Sequence, residues 1–192
     1  MTALTALRQF ARKREPLERC DLCAAPIADP HRHLFDPEQR QLVCACGPCT
    51  ILFSNEAAKR FRVVPPEVRS LSEFPLSDAD WNALMIPINI AFFVRTSAGG
   101  RIRAFYPSPA GATESELAVE SLDVDLQPDV QALLVNRLRT PARAFIVPID
   151  ECFRLVGTIR TKWKGLSGGR EVWSSIDGFF ADLGRRARPA RA

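Results

Sequence analysis

The 192-residue sequence predicts an α+β protein in which a small cysteine-rich module precedes an antiparallel-sheet domain with packed helices. Three features point there. Five of the six cysteines fall between positions 20 and 49; strand-like runs at 88–96, 101–106, 144–149 and 153–161 are separated by turn chemistry; and an apolar stripe at helical spacing occupies 168–186. A hydrophobic fraction of 46% against 25% charged residues lies well outside the range of disordered chains, so both units have core material.

Residues 1–16 read as a helical lead. They contain no long apolar run, and Arg8, Arg12, Lys13 and Arg14 follow the short helical start, which matches neither a secretory signal nor a membrane span. The apolar stretch at 83–94 is interrupted by Pro87 and Asn89 and is too short to cross a bilayer. A cytoplasmic location is expected.

The cysteines and histidines run Cys20, Cys23, His31, His33, Cys44, Cys46, Cys49. In a reducing compartment such a cluster favours metal binding over disulfides. Cys20-Asp21-Leu22-Cys23 and Cys46-Gly47-Pro48-Cys49 are each a Cys-x2-Cys knuckle, whose two intervening residues let the backbone turn and aim both sulfurs at one ion. Two knuckles complete a tetrahedron, so Cys20, Cys23, Cys46 and Cys49 are the expected ligands and zinc the expected metal.

The 22 residues between the knuckles suffice for a β-hairpin. His31–Asp36 alternates as a strand, Asp36-Pro37-Glu38-Gln39 is turn chemistry, and Arg40–Ala45 returns. Thr50–Phe61 then reads as a helix with Gly47-Pro48 leading into it. Knuckle, hairpin, knuckle and helix resemble the treble-clef zinc module over 17–64, an architecture specific for metal and not for function.

Seven donors exceed the four that one structural zinc needs, and three readings of Cys44, His31 and His33 stay open. Cys44 packs beneath the hairpin as a small apolar residue while a histidine hydrogen-bonds a ligand sulfur. Alternatively Cys44 replaces Cys46, since Cys44-Ala45-Cys46 alternation puts both side chains on one face. Or Cys44, Cys46 and Cys49, with help from Cys20 and Cys23, form an iron-sulfur, redox or metal-transfer site, although the spacing matches neither ferredoxin pattern.

A linker at 65–77 follows Pro65-Pro66. The α+β domain then covers 78–184. Asp78–Trp81 is a helical turn capped by Ser77, the 88–96 and 101–106 strands are joined by Ser97-Ala98-Gly99-Gly100, and 107–125 is loop-rich. Residues 128–139 read as a helix, with Pro128 in its first turn and Val130, Leu133, Leu134 and Leu138 on one stripe. Strands at 144–149 and 153–161 flank Asp150-Glu151, which reads as a solvated turn; Cys152 reads as core. Val172, Ile176, Phe179, Phe180 and Leu183 form the stripe of the last helix, and the glycines at 165–169 read as its cap, since the Gly-Lys-Ser/Thr ending of a phosphate loop is missing. Residues 185–192, rich in Arg among Ala and Pro, read as a disordered basic tail.

The charge excludes some functions. Net +4, with basic residues spread along the chain, argues against a nucleic-acid partner. With both histidines inside the cysteine cluster, no hydrolytic triad can be assembled, so a non-enzymatic role is expected.

Cys-Asp-Leu-Cys at 20–23, His-Arg-His-Leu at 31–34 and Cys-Ala-Cys-Gly-Pro-Cys at 44–49 resemble an uncharacterised bacterial family encoded near high-affinity nickel-iron hydrogenases. So do Leu-Val-Gly-Thr-Ile-Arg at 155–160 and the run from Trp163 through Gly-Leu-Ser-Gly-Gly-Arg-Glu-Val-Trp at 165–173. That resemblance implies an accessory role, with a hydrogenase subunit or maturation factor as protein partner, and carries over no catalytic residues. The expectation is a zinc-stabilised accessory or protein-binding protein; the alternative is a redox or metal-delivery protein with an iron-sulfur or labile metal site.

Overall fold

The computed structural model describes residues 18–54, 60–73, 76–115 and 122–190. The expected helical lead at 1–16 lies outside them.

In the cysteine-rich module, β1 (Arg32–Asp36) pairs antiparallel with β2 (Gln41–Ala45), and β3 (Arg62–Val63) adds to the other side of β1. Asp36 fastens the hairpin turn by accepting the backbone N–H groups of Glu38 at 3.0 Å and Gln39 at 3.1 Å. Helix α1 is Gly47–Phe53, with Pro48 in its first turn, where a missing N–H costs nothing. It is shorter than the expected 50–61 helix: Ser54 caps it, Arg60 and Phe61 are not helical, and 55–59 lie outside the described residues.

The second sheet comprises β4 (Arg69–Ser70), β5 (Ile90–Arg95), β6 (Ile102–Ser108), β7 (Gly111–Glu114), β8 (Gln131–Asn136), β9 (Arg143–Pro148) and β10 (Arg188–Pro189). Its order is β10-β4-β9-β8-β5-β6-β7, antiparallel throughout except that β10 runs parallel to β4. Both faces are covered. Phe92, Leu134, Phe145 and Val147 point to α3 (Ile149–Lys162) and α4 (Gly169–Arg186), whereas Phe93, Leu133, Val135 and Ile146 meet Trp81 of α2 (Asp78–Ala83) and the 122–126 segment. The protein is therefore α+β, with the four cysteines gathered near its N-terminus.

Five expectations need correction. Residues 131–136 are a central strand, not a helix: with both faces covered every position is buried, so apolar residues run together and mimic a helical stripe. Residues 149–162 are a helix, not a strand. Val156, Thr158, Ile159 and Thr161 favour strands by propensity, but Ile149, Cys152, Leu155, Val156 and Ile159 line one buried helical face, and the Thr158 and Thr161 hydroxyls bond back to the Arg154 and Gly157 carbonyls. Asp150 and Glu151 thus occupy a helix first turn rather than a solvated loop. At 185–190 the chain is ordered instead of a loose tail: Arg185 and Arg186 pair with Asp182, Arg186 reaches Glu151 at 2.7 Å, and Arg188 donates its N–H to Val68. Arg69 and Ser70, within the expected linker, are the strand that β10 joins.

Gly168 makes the α3–α4 corner. It holds φ +84°, and a Cβ there would sit 2.8 Å from Val172 and 3.0 Å from Trp163. The indole N–H groups of Trp163 and Trp173 donate to the Gly165 and Ser167 carbonyls, closing the loop on itself.

Candidate metal centre

Each cysteine is placed by backbone chemistry. In the first knuckle Ala24 takes a left-handed conformation, φ 60°, so that its N–H reaches the Cys20 carbonyl at 2.8 Å while Cys20 N–H donates to Ala25 at 2.8 Å. Asp21 ties this turn to β2 from both sides: its N–H donates to the Cys44 carbonyl at 2.9 Å and its carboxylate accepts the Cys44 N–H at 2.7 Å. In the second knuckle, Cys46 leaves the strand in extended geometry and caps α1, whose first turn brings Cys49 round. Thr50 donates both its N–H and its hydroxyl to the Cys46 carbonyl, fixing that turn.

The sulfurs of Cys20, Cys23, Cys46 and Cys49 converge to within 4.8 Å of one another. Cys23 and Cys46 are 3.6 Å apart. A thiolate tetrahedron about zinc, with Zn–S near 2.3 Å, has edges of ~3.8 Å, whereas a disulfide would need about 2.05 Å. All four are free thiols. Cys20 and Cys49 are buried, Cys46 is half-buried and Cys23 faces solvent.

Their acidities diverge. Burial pushes the Cys20 thiol up, but the backbone N–H groups of Cys46, Leu22 and Cys23 outweigh it and hold Cys20 at about 6. Cys49 is pushed up to about 12, by burial first and then by the crowding thiols of Cys46, Cys23 and Cys20. The N–H of Ala25 favours the Cys23 thiolate, yet the neighbouring Cys20 and Cys46 sulfurs leave Cys23 raised. Backbone N–H groups thus favour the Cys20 thiolate, and a cation in the site would favour the ionised forms of Cys23 and Cys49. The donor set and spacing fit a thiophilic ion.

Cys44 stands apart from the four and falls in with the histidines. A ring nitrogen of His31, one of His33 and the Cys44 sulfur lie within 4.8 Å of one another. The register explains this, since His33 is directly opposite Cys44 and His31 is two residues before His33 on the same face. Phe35 and Leu42 continue that face and pack into the main core, so the trio faces the sheet domain. A cavity of about 410 Å³, lined by Phe35, Arg40, Phe92, Phe105 and Phe153 among others, opens farther along the same junction.

His33 Nδ1 bonds Asp150 at 2.9 Å, across 117 positions of sequence. This bond raises the His33 pKa, against burial. Asp150 and Asp21 are the positioning residues that sequence reasoning missed. Reading 149–162 as a helix would have put Asp150 in a first turn, while the double bond from Asp21 to Cys44 leaves no trace in spacing. Cys152 is buried in α3, and burial with Glu151 and Asp150 nearby raises its thiol well above the ordinary value, as expected of a core residue.

A family model matches residues 19–187, which takes in both knuckles, the sheet up to β9 and both long helices. The chain belongs to a family of unknown function, DUF5947. No curated protein and no solved structure matches it. Among the described residues of this DUF5947 member, no helix is long and apolar enough to cross a membrane.

Proposed function

We propose that this chain is a zinc-stabilised, protein-binding accessory protein in which Cys20, Cys23, Cys46 and Cys49 hold one zinc ion as a structural clamp. The closed set of four sulfurs carries the reading. With every position of a tetrahedral ion taken by a thiolate, none is left for water or substrate, the mark of a structural site. Thiolate donors select zinc over hard cations such as magnesium or calcium.

A protein partner is supported by α1, where Ile51 and Leu52 stand side by side at 74% and 68% exposure directly after the second knuckle. On the sequence resemblance, the partner is a nickel-iron hydrogenase subunit or maturation factor. The test is metal analysis followed by co-purification with those proteins. One zinc per chain, and a complex abolished by Ile51→Glu with Leu52→Glu while the zinc stays bound, is the expected result; metal-free protein whose two knuckles stay folded would overturn the clamp, and an unchanged complex would overturn the docking face.

A second reading, a redox or metal-delivery protein with a labile or iron-sulfur site, is favoured by one observation: the trio of His31, His33 and Cys44 beside the clamp. Anaerobically purified protein that is colourless and carries zinc supports the first reading. Brown protein with iron and sulfide, its colour lost in Cys44→Ala, supports the second.

A further inference from the structure

We propose that His31, His33 and Cys44 form a second metal site, separate from the four-cysteine clamp, which takes one exchangeable divalent ion of the cobalt, nickel or zinc type and leaves one coordination position open. It rests on the trio behind the second reading above and not on the clamp, so either can fail without the other.

The donors suit that class of ion. Two imidazoles and one thiolate are borderline-to-soft ligands that suit late first-row ions and not magnesium or calcium. Three protein ligands on a four-coordinate ion leave a position for water or an incoming donor. The three donor atoms already lie within 4.8 Å of one another, and Zn–N near 2.1 Å with Zn–S near 2.3 Å sets neighbouring donors of a tetrahedral ion ~3.4–3.6 Å apart, so binding closes the widest pair by about 1 Å.

Two independent observations point to a ligand here. The first is His31, whose side chain is only 10% exposed and whose two ring nitrogens are both buried without a hydrogen-bonding partner among the described residues. A buried imidazole normally satisfies at least one nitrogen, because an unmatched buried polar group is costly. Its ring meets that of His33 edge-on at 4.7 Å, which orients the pair and satisfies neither nitrogen.

The second observation is the carboxylate behind each ring. His33 Nδ1 is engaged by Asp150 at 2.9 Å, which fixes the tautomer and leaves Nε2 as the free donor. His31 Nδ1 lies 3.3 Å from a Glu18 oxygen, an ion-pair approach without hydrogen-bond geometry. Carboxylate, histidine and metal in line is the usual arrangement behind a ligating histidine. The other oxygen of Asp150 is also buried without a hydrogen-bonding partner among the described residues, which leaves this carboxylate committed to His33.

The placement separates the two centres by role. Cys44 lies on β2 and Cys46 just past its end, so two residues of separation divide the three-donor site from the closed sulfur clamp. The trio is half-buried and reaches Asp150 on α3, placing an exchangeable ion where the module meets the sheet domain.

The test is anaerobic titration of the full-length, reduced, metal-free chain with cobalt(II). Two equivalents should bind, the second being withdrawn by a mild chelator that leaves the first. Cobalt-shifted, exchangeable imidazole N–H resonances should appear with the second equivalent, a signal that a four-cysteine centre cannot give. His33→Ala and Cys44→Ala should each bind one equivalent, and Asp150→Asn should weaken only the second, by about 10–100-fold. A wild-type chain that lacks shifted imidazole resonances, or that keeps its second equivalent in both His33→Ala and Cys44→Ala, overturns the site. The wild-type resonances decide the matter even if a variant fails to fold. A chain that binds the second ion but not the clamp ion overturns the structural-zinc reading alone.

Discussion

Removing the clamp ion should unfold the two knuckles and leave the seven-stranded sheet standing. Apart from Cys20 and Cys49, the buried apolar core of the module is Ile27, Leu34 and Ala45. Burying an Ile and a Leu contributes about 1.5–3 kcal/mol each and an Ala less, so these three contribute roughly 5 kcal/mol, to which the partly buried Leu22, Val43, Phe53, Phe61 and Val63 add smaller amounts. Structural zinc in small modules is worth about 10–16 kcal/mol, two to three times what the three buried residues contribute. Losing even about 4 kcal/mol of that would speed opening-limited exchange roughly a thousandfold. The assay is amide hydrogen exchange on reduced protein before and after chelation, with metal content checked. The amides of Cys20, Ala24 and Ile27, which bond to Ala25, Cys20 and Glu18, should lose their protection, while those of Leu133 to Val135 in β8 keep theirs. Metal-free protein whose knuckle amides exchange as slowly as in the loaded protein would refute the reasoning.

Other outcomes follow from the same structure. Because Cys20 is held at about 6 whereas Cys49 is pushed up to about 12 and Cys23 is raised, loading zinc near neutral pH should release roughly two or more protons per chain; calorimetry in buffers of different ionisation enthalpy reads this, and zinc affinity should fall as pH drops. Asp36 is held below the ordinary carboxylate value, chiefly by the Gln39 N–H and, against burial, by Arg60 and the Glu38 N–H. Its stabilisation is present above the unfolded pKa of about 4 and is lost as pH falls through the lower folded value, so the urea midpoints of wild type and Asp36→Asn should converge only in strong acid. Gly168→Ala places a side chain at φ +84° against Val172 and Trp163. Left-handed strain of about 1–2 kcal/mol and overpacking of about 1–3 kcal/mol together predict a loss of about 2–5 kcal/mol in denaturant unfolding, and a loss below about 1 kcal/mol would contradict the corner described.

The cysteine-rich module was legible because its signals are local: a two-residue gap makes each knuckle, Asp36-Pro37-Glu38-Gln39 makes the turn, and Pro48 marks a first turn. The last helix was equally plain, with solvent along one side of its stripe. The misreadings at 131–136 and 149–162 share a physical cause. A strand buried on both faces has no alternation to display, and a helix rich in β-branched residues hides its period behind strand propensity. The disposition of Cys44 had the same limit: alternation puts Cys44 and Cys46 on one face, and only the Asp21 clamp and the turn into α1 decide which sulfur meets the other three. Asp150 reaches His33 through the packing of α3 against the hairpin, a contact that sequence spacing cannot express.

The margins of the large sheet bear on how another chain could attach. At one side the outermost ladder belongs to β10 and its neighbour β4, each only two residues long, and at the other to β7, four residues long. Strand addition works by zipping main-chain amides along an extended border, and borders this brief offer few rungs. Among the described residues, the borders of this large sheet are therefore better suited to contact through side chains and shape than to an added ribbon.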